Sequence, residues 1–161
     1  MQGQHPSATR STNELFVRHQ LFGDFPAEYL DVLVETTSEL TVESGQVIFR
    51  EGDDADRFFL ILEGGVSLEA FSLQHGPITV QTLEPGDVFG WSVLVPPHRW
   101  RLDARAASAG RLLVLDGPAL RERCERNPGL GYELLRRFAM LLEQRLQAVR
   151  RQLIERHVRS W

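Results

Sequence analysis

A chain of 161 residues with 42% apolar and 25% charged residues is long enough for one soluble domain with a buried core. No apolar run approaches the ~20 residues that cross a bilayer, and the polar N-terminus lacks a signal-peptide core. The sequence therefore predicts a cytoplasmic protein with no membrane partner. The single cysteine, Cys124, excludes an internal disulfide and any cluster that needs several thiolates.

Charge is divided unevenly along the chain, and all 18 basic residues are arginines. Residues 1–98 carry 4 arginines against 15 acidic residues, whereas residues 99–161 carry 14 arginines against 7. The two parts could pair within one chain or between subunits. Alternatively, the basic part could meet an anionic ligand.

The first residues predict a loose tail followed by two short helices. Residues 1–11 have no apolar period, so we expect them to be disordered. A short helix is predicted from Asn13 to Gln20, where Leu15 and Phe16 are apolar. A second helix begins near Pro26, because a proline suits the first helical turn.

From Glu39 the apolar period changes to two residues, which indicates short strands separated by glycine-rich turns. The alternating pairs are Leu40 and Val42, Val47 and Phe49, Phe59 and Ile61, Val66 and Leu68, and Ile78 and Val80. Residues 102–115 supply the closing strands, with an interruption at 108–110. This spacing predicts a mainly β, α+β fold in which an antiparallel, jelly-roll-like β-roll is flanked by helices.

The pattern becomes helical after Asp116, which suits an N-cap, and a cap followed by Pro128 starts a long final helix. Apolar residues at spacings of 3 and 4 form a seam typical of a coiled coil: Ala139, Leu142, Leu146, Val149 and Leu153. Because arginines flank this seam, it predicts a homodimer; the alternative is that the helix lies back on its own β-domain. The predicted divisions are a tail over 1–11, the roll with its flanking helices over 12–127, and the dimerisation helix over 128–161.

Three ordered segments carry a family resemblance. They are residues 43–49 (ESGQVIF), 51–64 (EGDDADRFFLILEG) and 85–90 (PGDVFG). With the order of helices and strands, they make the sequence resemble the cyclic-nucleotide-binding domain superfamily over about residues 21–155. The resemblance is to the sensor domain of catabolite activator protein-type regulators, and it implies a regulatory β-roll rather than an enzyme.

In that family the segment after the Phe-Gly pair holds the cyclic phosphate. A short helix offers backbone N–H groups, a glutamate after the glycine bonds the ribose hydroxyl, and a later arginine pairs with the phosphate. In register, the glutamate position is Trp91 and the arginine position is Trp100, with Arg99 and Arg101 beside it. The resemblance therefore implies the fold, while these residues leave cyclic AMP unassigned.

The candidate ligand-binding residues lie in this segment: Gly90, Trp91, Ser92, Arg99, Trp100, Arg101 and Asp103. Gly90 and Ser92 could form an anion nest with a neighbouring arginine. The tryptophans could line a pocket for a planar or apolar ligand, or fill the space a nucleotide would occupy. If residues 99–103 form a regular strand, both arginines and Asp103 share one face and Trp100 takes the other, and Asp103 could pair with either arginine.

Catalytic and metal-binding patterns are missing from the sequence. Its five histidines are scattered, so we expect no cupin-type metal site; only His98 could serve a haem, and we expect no haem. A helix-turn-helix domain would need at least about 50 more residues, so DNA binding is not expected. The sequence predicts a stand-alone sensor that binds a small anionic or planar, cyclic-nucleotide-like ligand and signals through a dimeric helix. The alternatives are a degenerate, ligand-free roll that binds a protein partner and a truncated transcriptional regulator.

Overall fold

The computed structural model describes residues 6–159, and the chain divides into two compact units between Arg123 and Cys124. Helices α1 to α4 span Pro6–Arg18, Ala27–Glu35, Gly117–Arg126 and Pro128–Val158. Strands β1 to β8 span Thr37–Val42, Val47–Phe49, Arg57–Glu63, Val66–Ser72, Gly76–Leu83, Val88–Phe89, Asp103–Ala106 and Gly110–Asp116. A short 3-10 helix, Trp91–Leu94, follows β6.

The eight strands form two four-stranded antiparallel sheets with the orders β1-β8-β3-β6 and β2-β7-β4-β5. Strands that neighbour one another in a sheet are mostly distant in sequence, as they are when a chain rolls into two layers. This arrangement confirms the predicted antiparallel β-roll with flanking helices.

The central strands β3 and β8 are buried more completely than their apolar period predicted. Consecutive residues from Phe58 to Ile61 and from Leu112 to Leu115 are all buried. A strand with consecutive buried residues has both faces of its sheet covered. The predicted pair of Phe59 and Ile61 therefore accounts for only one of the two buried faces of β3.

Side-chain caps fix the starts of the last two helices where the sequence predicted them. Asp116 Oδ1 accepts a hydrogen bond from the Ala119 N–H at 2.7 Å. Asn127 Oδ1 accepts one from the Leu130 N–H at 3.3 Å, with Pro128 in the first turn. Each cap satisfies a backbone donor that has no partner inside the helix.

The prediction for the N-terminal end was wrong in part. Helix α1 begins at Pro6, so residues 6–11 are helical rather than loose, and it ends at Arg18 rather than Gln20. Residues 1–5 of the predicted tail lie outside the described residues. Phe16 in this helix is fully buried and packs edge-on against Phe22 with ring centroids 5.2 Å apart. Such packing stabilises a helix whose own sequence carries little apolar period.

Helix α4, in the second unit, has one buried side and one exposed apolar stripe. Leu130, Leu134 and Phe138 are buried. The seam residues are exposed: Ala139, Leu142, Leu146, Val149 and Leu153. Tyr132 and Leu135, also exposed, continue the same 3 and 4 spacing toward the N-terminus. The exposed stripe is therefore longer than the sequence predicted, and no described residue covers it.

Candidate functional site

A pocket of about 80 Å³ lies between the segment that follows β6 and the segment that precedes β7. Five of the seven predicted ligand-binding residues line it: Gly90, Trp91, Ser92, Trp100 and Arg101. The first three belong to the 3-10 helix and its N-cap, and the other two lie beyond the loop that follows it. The fold thus brings together the two ends of the candidate segment at one pocket.

Four apolar residues complete the lining: Phe49, Leu68, Phe89 and Leu102. Phe49 and Leu68 were both predicted as strand residues, and Phe89 lies in β6. Their alternation indicated which side of each strand is buried. It carried no signal for which buried residues border the pocket, because that depends on how the two sheets pack.

An aromatic wall forms one side of the pocket. The Trp100 ring stacks on Phe49 with centroids 3.8 Å apart and planes 9° from parallel, and Phe59 stacks on Phe89 at 4.6 Å. Trp100 is only 3% exposed. It therefore fills part of the interior of the roll and at the same time borders the space that remains.

Gly90 allows the chain to pass close to this wall. Its φ of 95° is in the left-handed region that favours glycine. A Cβ at this position would lie 2.8 Å from the Arg57 carbonyl oxygen and 3.3 Å from the Trp100 ring. No other residue fits without displacing its neighbours, so Gly90 sets how near Trp91 and Ser92 come to Trp100.

Backbone hydrogen bonds hold Trp100 against the acidic loop of residues 50–56. The Trp100 N–H donates to the Asp53 carbonyl at 3.0 Å, and the Gly52 N–H donates to the Trp100 carbonyl at 2.9 Å. The neighbouring Arg99 also belongs to this contact. Its guanidinium lies 3.0 Å from the Asp54 carboxylate and donates to the Gly52 carbonyl. Arg99 is not among the residues that line the pocket.

The prediction of a regular strand over residues 99–103 was wrong. Arg99 forms an isolated bridge with Asp54, and strand β7 begins only at Asp103. Residues 101 and 102 form a bend, which breaks the alternation of faces. As a result Trp100 and Arg101 both line the pocket, although strict alternation would place them on opposite faces.

Asp103 does not pair with Arg99 or Arg101, the two arginines considered for it. Its Oδ1 accepts a hydrogen bond from the Glu51 N–H at 2.7 Å, and its Oδ2 lies 4.0 Å from an Arg50 nitrogen. It does not line the pocket. Its contacts fix the start of β7 to the loop that also holds Trp100.

Among the arginines of the described strands and of the loops that join them, only Arg101 has no partner within residues 6–159. Six arginines pair with carboxylates: Arg50, Arg57, Arg99, Arg105, Arg111 and Arg123. Arg121 donates to backbone carbonyls. Arg101 is exposed at the pocket and forms neither an ion pair nor a hydrogen bond with any residue in 6–159. Its charge is therefore available to an anion.

Arg121 connects helix α3 to the pocket segment. Its guanidinium donates to the Val93 carbonyl at 2.8 Å and to the Ala55 carbonyl at 3.4 Å. Val93 belongs to the 3-10 helix, and Ala55 to the loop that holds Trp100 in place. A displacement of either segment would therefore change the contacts of this helix.

The described residues include no cluster of metal-ligating side chains. Over 6–159, no group of three or more His, Cys, Asp or Glu side chains is placed to hold a metal ion. His98 lies outside the pocket lining.

The single cysteine is not activated as a nucleophile. Burial is the larger cause that raises the pKa of the Cys124 thiol, and the nearby Glu125 carboxylate is the second. A raised pKa disfavours the reactive thiolate. None of the helices described is long and apolar enough to cross a membrane.

Comparison with known proteins identifies the roll. The family model described as the cyclic nucleotide-binding domain matches residues 39–127, which include both segments that border the pocket. The chain belongs to the cyclic nucleotide-binding domain family.

Two solved structures of this family's fold cover most of the chain. A Geobacter metallireducens protein, provisionally named as cyclic nucleotide-binding, is 34% identical with a TM-score of 0.76, over 84% of this chain and 98% of that chain. The N-terminal domain of a Streptomyces coelicolor transcriptional regulator is 27% identical with a TM-score of 0.66, over 84% of this chain and 94% of that one. This cyclic nucleotide-binding domain is thus related to the sensor domains of regulators.

Curated relatives link the domain to longer proteins. A CRP-like cAMP-activated global transcriptional regulator of Mycobacterium tuberculosis is 23% identical over 82% of this chain and 59% of that protein. A cyclic nucleotide-gated potassium channel of Mesorhizobium japonicum is 33% identical over 68% of this chain and 29% of that protein. The chain therefore spans less than two thirds of either relative. The names given to these relatives are those of a regulator and a channel, not of enzymes.

Proposed function

We propose that this cyclic nucleotide-binding domain is a sensor module without catalytic activity. Its roll binds a small anionic or planar ligand in the pocket beneath Gly90, and its α4 helix forms a homodimer that carries the signal to a protein partner. The observation that supports this proposal best is the pocket itself. It unites an aromatic wall with Arg101, an exposed arginine that has no partner among the described residues.

The side chains at the pocket suit both an anionic group and a planar group of the ligand. Arg101 provides a guanidinium for an anion, and the Ser92 hydroxyl lies on the same lining. Trp91 and Trp100 provide flat apolar surfaces suited to a planar group. Pockets that bind small molecules commonly combine an apolar lining with a few polar groups in this way.

Arg121 supplies a route from the pocket to the helices that follow. A ligand that contacts Trp91 or Ser92 acts on the 3-10 helix, whose Val93 carbonyl accepts the 2.8 Å bond from Arg121. Movement of this short helix strains or releases that bond and so biases the position of α3. A ligand can shift such an equilibrium only through its different affinities for the two states.

A second candidate function is a ligand-free interaction module. The observation that favours it is the stacking of Trp100 on Phe49, which occupies interior space and leaves only about 80 Å³. In this case the roll is a rigid scaffold and the exposed stripe of α4 is its functional surface. The two candidates differ in whether any small molecule stabilises the protein.

Thermal unfolding with a panel of planar anions tests the first proposal against the second. The panel contains cyclic AMP, cyclic GMP, a cyclic dinucleotide, haem and simple aromatic carboxylates. A ligand bound to the folded state raises the melting temperature by mass action. We expect at least one compound to do so for the natural chain and not for Leu102→Trp, which places a large ring at the pocket.

Melting temperatures that stay constant with every compound at millimolar concentration would favour the interaction module. An equal rise in Leu102→Trp would place the ligand somewhere other than the pocket. Val80→Trp is the matched control, because Val80 is 55% exposed on β5 and is not part of the lining. It should respond as the natural chain does.

A further inference from the structure

We infer that the pocket selects an aromatic monocarboxylate rather than a cyclic nucleotide, with Arg101 as the counter-ion of the carboxylate; this inference rests on the ligand-binding function proposed above. Three features of the pocket lead to it. They are its size, its single unpaired charge and the side-chain hydrogen-bonding groups that it offers.

The size of the pocket limits the body of the ligand. Its volume is about 80 Å³. Pockets for larger ligands measure about 300 Å³ or more. A single ring matches this space better than a purine with its ribose, because the edge of one ring can enter beside Trp100 while its substituent stays at the exposed rim.

The positive charge at the pocket favours an anionic substituent on the ring. Arg101 is the lining residue that carries a charge, and it lies at the exposed rim. A guanidinium offers two parallel N–H donors that match the two oxygens of a carboxylate. Arg99 is paired with Asp54, and Arg57 is paired with Asp56. Neither guanidinium is therefore unpaired and open to a second anionic group. One guanidinium therefore matches a ligand with one anionic group; the size of the pocket and its lack of side-chain carboxylates and amides favour a carboxylate over the cyclic phosphate of a nucleotide.

The hydrogen-bonding groups of the lining disfavour a nucleotide. Its side chains include no carboxylate or amide, and the Ser92 hydroxyl is the one side-chain oxygen among the lining residues. Ribose hydroxyls and the amino group of adenine are donors that need acceptors, and buried donors without acceptors are costly. An aromatic carboxylate brings only acceptors, which the Arg101 guanidinium and the Ser92 hydroxyl can satisfy.

Calorimetric titration of the full chain with four probes tests this inference. Benzoate carries both the ring and the charge, benzyl alcohol lacks the charge, acetate lacks the ring, and cyclic AMP represents the nucleotides. We expect benzoate to bind at least tenfold more tightly than either partial probe, and cyclic AMP to bind more weakly than benzoate. The indole N–H resonances of Trp91 and Trp100, assigned with Trp91→Phe and Trp161→Phe, should shift as benzoate binds.

Two variants identify the counter-ion. Arg101→Gln should weaken benzoate binding at least tenfold and leave the affinity for benzyl alcohol unchanged. Arg111→Gln is the control: Arg111 is paired with Glu39 and Glu63 and does not line the pocket, so the benzoate affinity of this variant should match that of the natural chain. Equal benzoate binding by Arg101→Gln and the natural chain would overturn the inference, as would tighter binding of cyclic AMP than of benzoate.

The outcomes separate this inference from the function on which it rests. If cyclic AMP shifts the two indole resonances and benzoate does not, the sensor function holds and the aromatic carboxylate is wrong. If none of the planar anions binds, both proposals fail. If benzoate binds without shifting the resonances of Trp91 and Trp100, its site is elsewhere, and the assignment to this pocket is overturned.

Discussion

Gly90 and Gly86 have nearly the same backbone conformation in very different surroundings. Their φ values are 95° and 91°. A Cβ on Gly86 would meet nothing within 4 Å, whereas one on Gly90 would press on the Arg57 carbonyl, Phe59 and Trp100. The pair therefore separates the cost of the left-handed conformation from the cost of crowding the pocket wall.

Alanine at each position provides the measurement. Gly86→Ala should lower the free energy of unfolding by about 1–2 kcal/mol, the cost of a left-handed conformation for an L-residue. Gly90→Ala should lose a further ~1–3 kcal/mol from overpacking. Urea denaturation monitored by circular dichroism gives both values. Equal losses at the two positions would contradict the close packing of Gly90 against Trp100.

Single residues also show where the sequence was informative about the site. The family resemblance located Gly90, Trp91 and Ser92, because in that family the segment after the Phe-Gly pair holds the phosphate. No local signal in the sequence distinguishes Arg99, which is paired, from Arg101, which is not. Arg99 is held by the Asp54 carboxylate, which lies 45 positions earlier in the chain, whereas Arg101 lies in a bend and has no partner among the described residues.

Among the elements, one arginine ties three neighbouring strands of a sheet together. Arg111 on β8 donates to Glu63 on β3 at 2.8 Å and to Glu39 on β1 at 3.4 Å. The hydrogen bond from Arg111 and its charge lower the pKa of the Glu63 carboxyl below 4.5. A lowered pKa in the folded state contributes stability above pH 4.5, and that contribution is lost as the pH falls through the folded value.

Glu63→Gln should therefore lower the melting temperature slightly at pH 7, and the difference from the natural chain should shrink below pH 4.5. The effect is small because both side chains are about half exposed, and 1 M salt should reduce it. Melting curves from pH 3 to 8 give the profile. In an Arg111→Gln background, Glu63→Gln should no longer change the melting temperature. If the same pH-dependent difference persisted in that background, another group would be responsible for it.

Elements were predicted best where a strong local signal agrees with the final packing. The alternating pairs of β1 to β5 and the caps at Asp116 and Asn127 each follow from a few adjacent residues, and the structure confirms them. Helix α1 was predicted too short because Phe16 stabilises it through contacts with Phe22, which belongs to the segment between α1 and α2. Short-range patterns do not record such contacts.

For the whole molecule, the exposed stripe of α4 predicts the oligomeric state. Leu142 and Leu146 lie in the middle of the seam and are 40% and 66% exposed in the single chain. Replacing both with glutamate should convert a dimer into a monomer, because buried like charges oppose a coiled-coil seam. Sedimentation equilibrium at micromolar concentration measures the mass.

Met140→Glu is the matched control for this substitution. Met140 is 54% exposed on the same helix but lies outside the 3 and 4 spacing of the seam. It should leave the dimer intact. A monomeric mass for the natural chain, or a dimeric mass for the doubly charged variant, would refute the seam as the interface.

The pocket lies in the more acidic of the two units. The unit that ends at Arg123 contains 18 acidic residues and 10 arginines, and the loop of residues 50–56 beside Trp100 accounts for four of those acids. An anion diffusing toward Arg101 therefore approaches against a repulsive field and meets an attractive charge only at the rim. Salt screens the distant repulsion more than the close contact. The association rate of an anionic ligand should consequently rise with ionic strength, the reverse of steering by a basic surface.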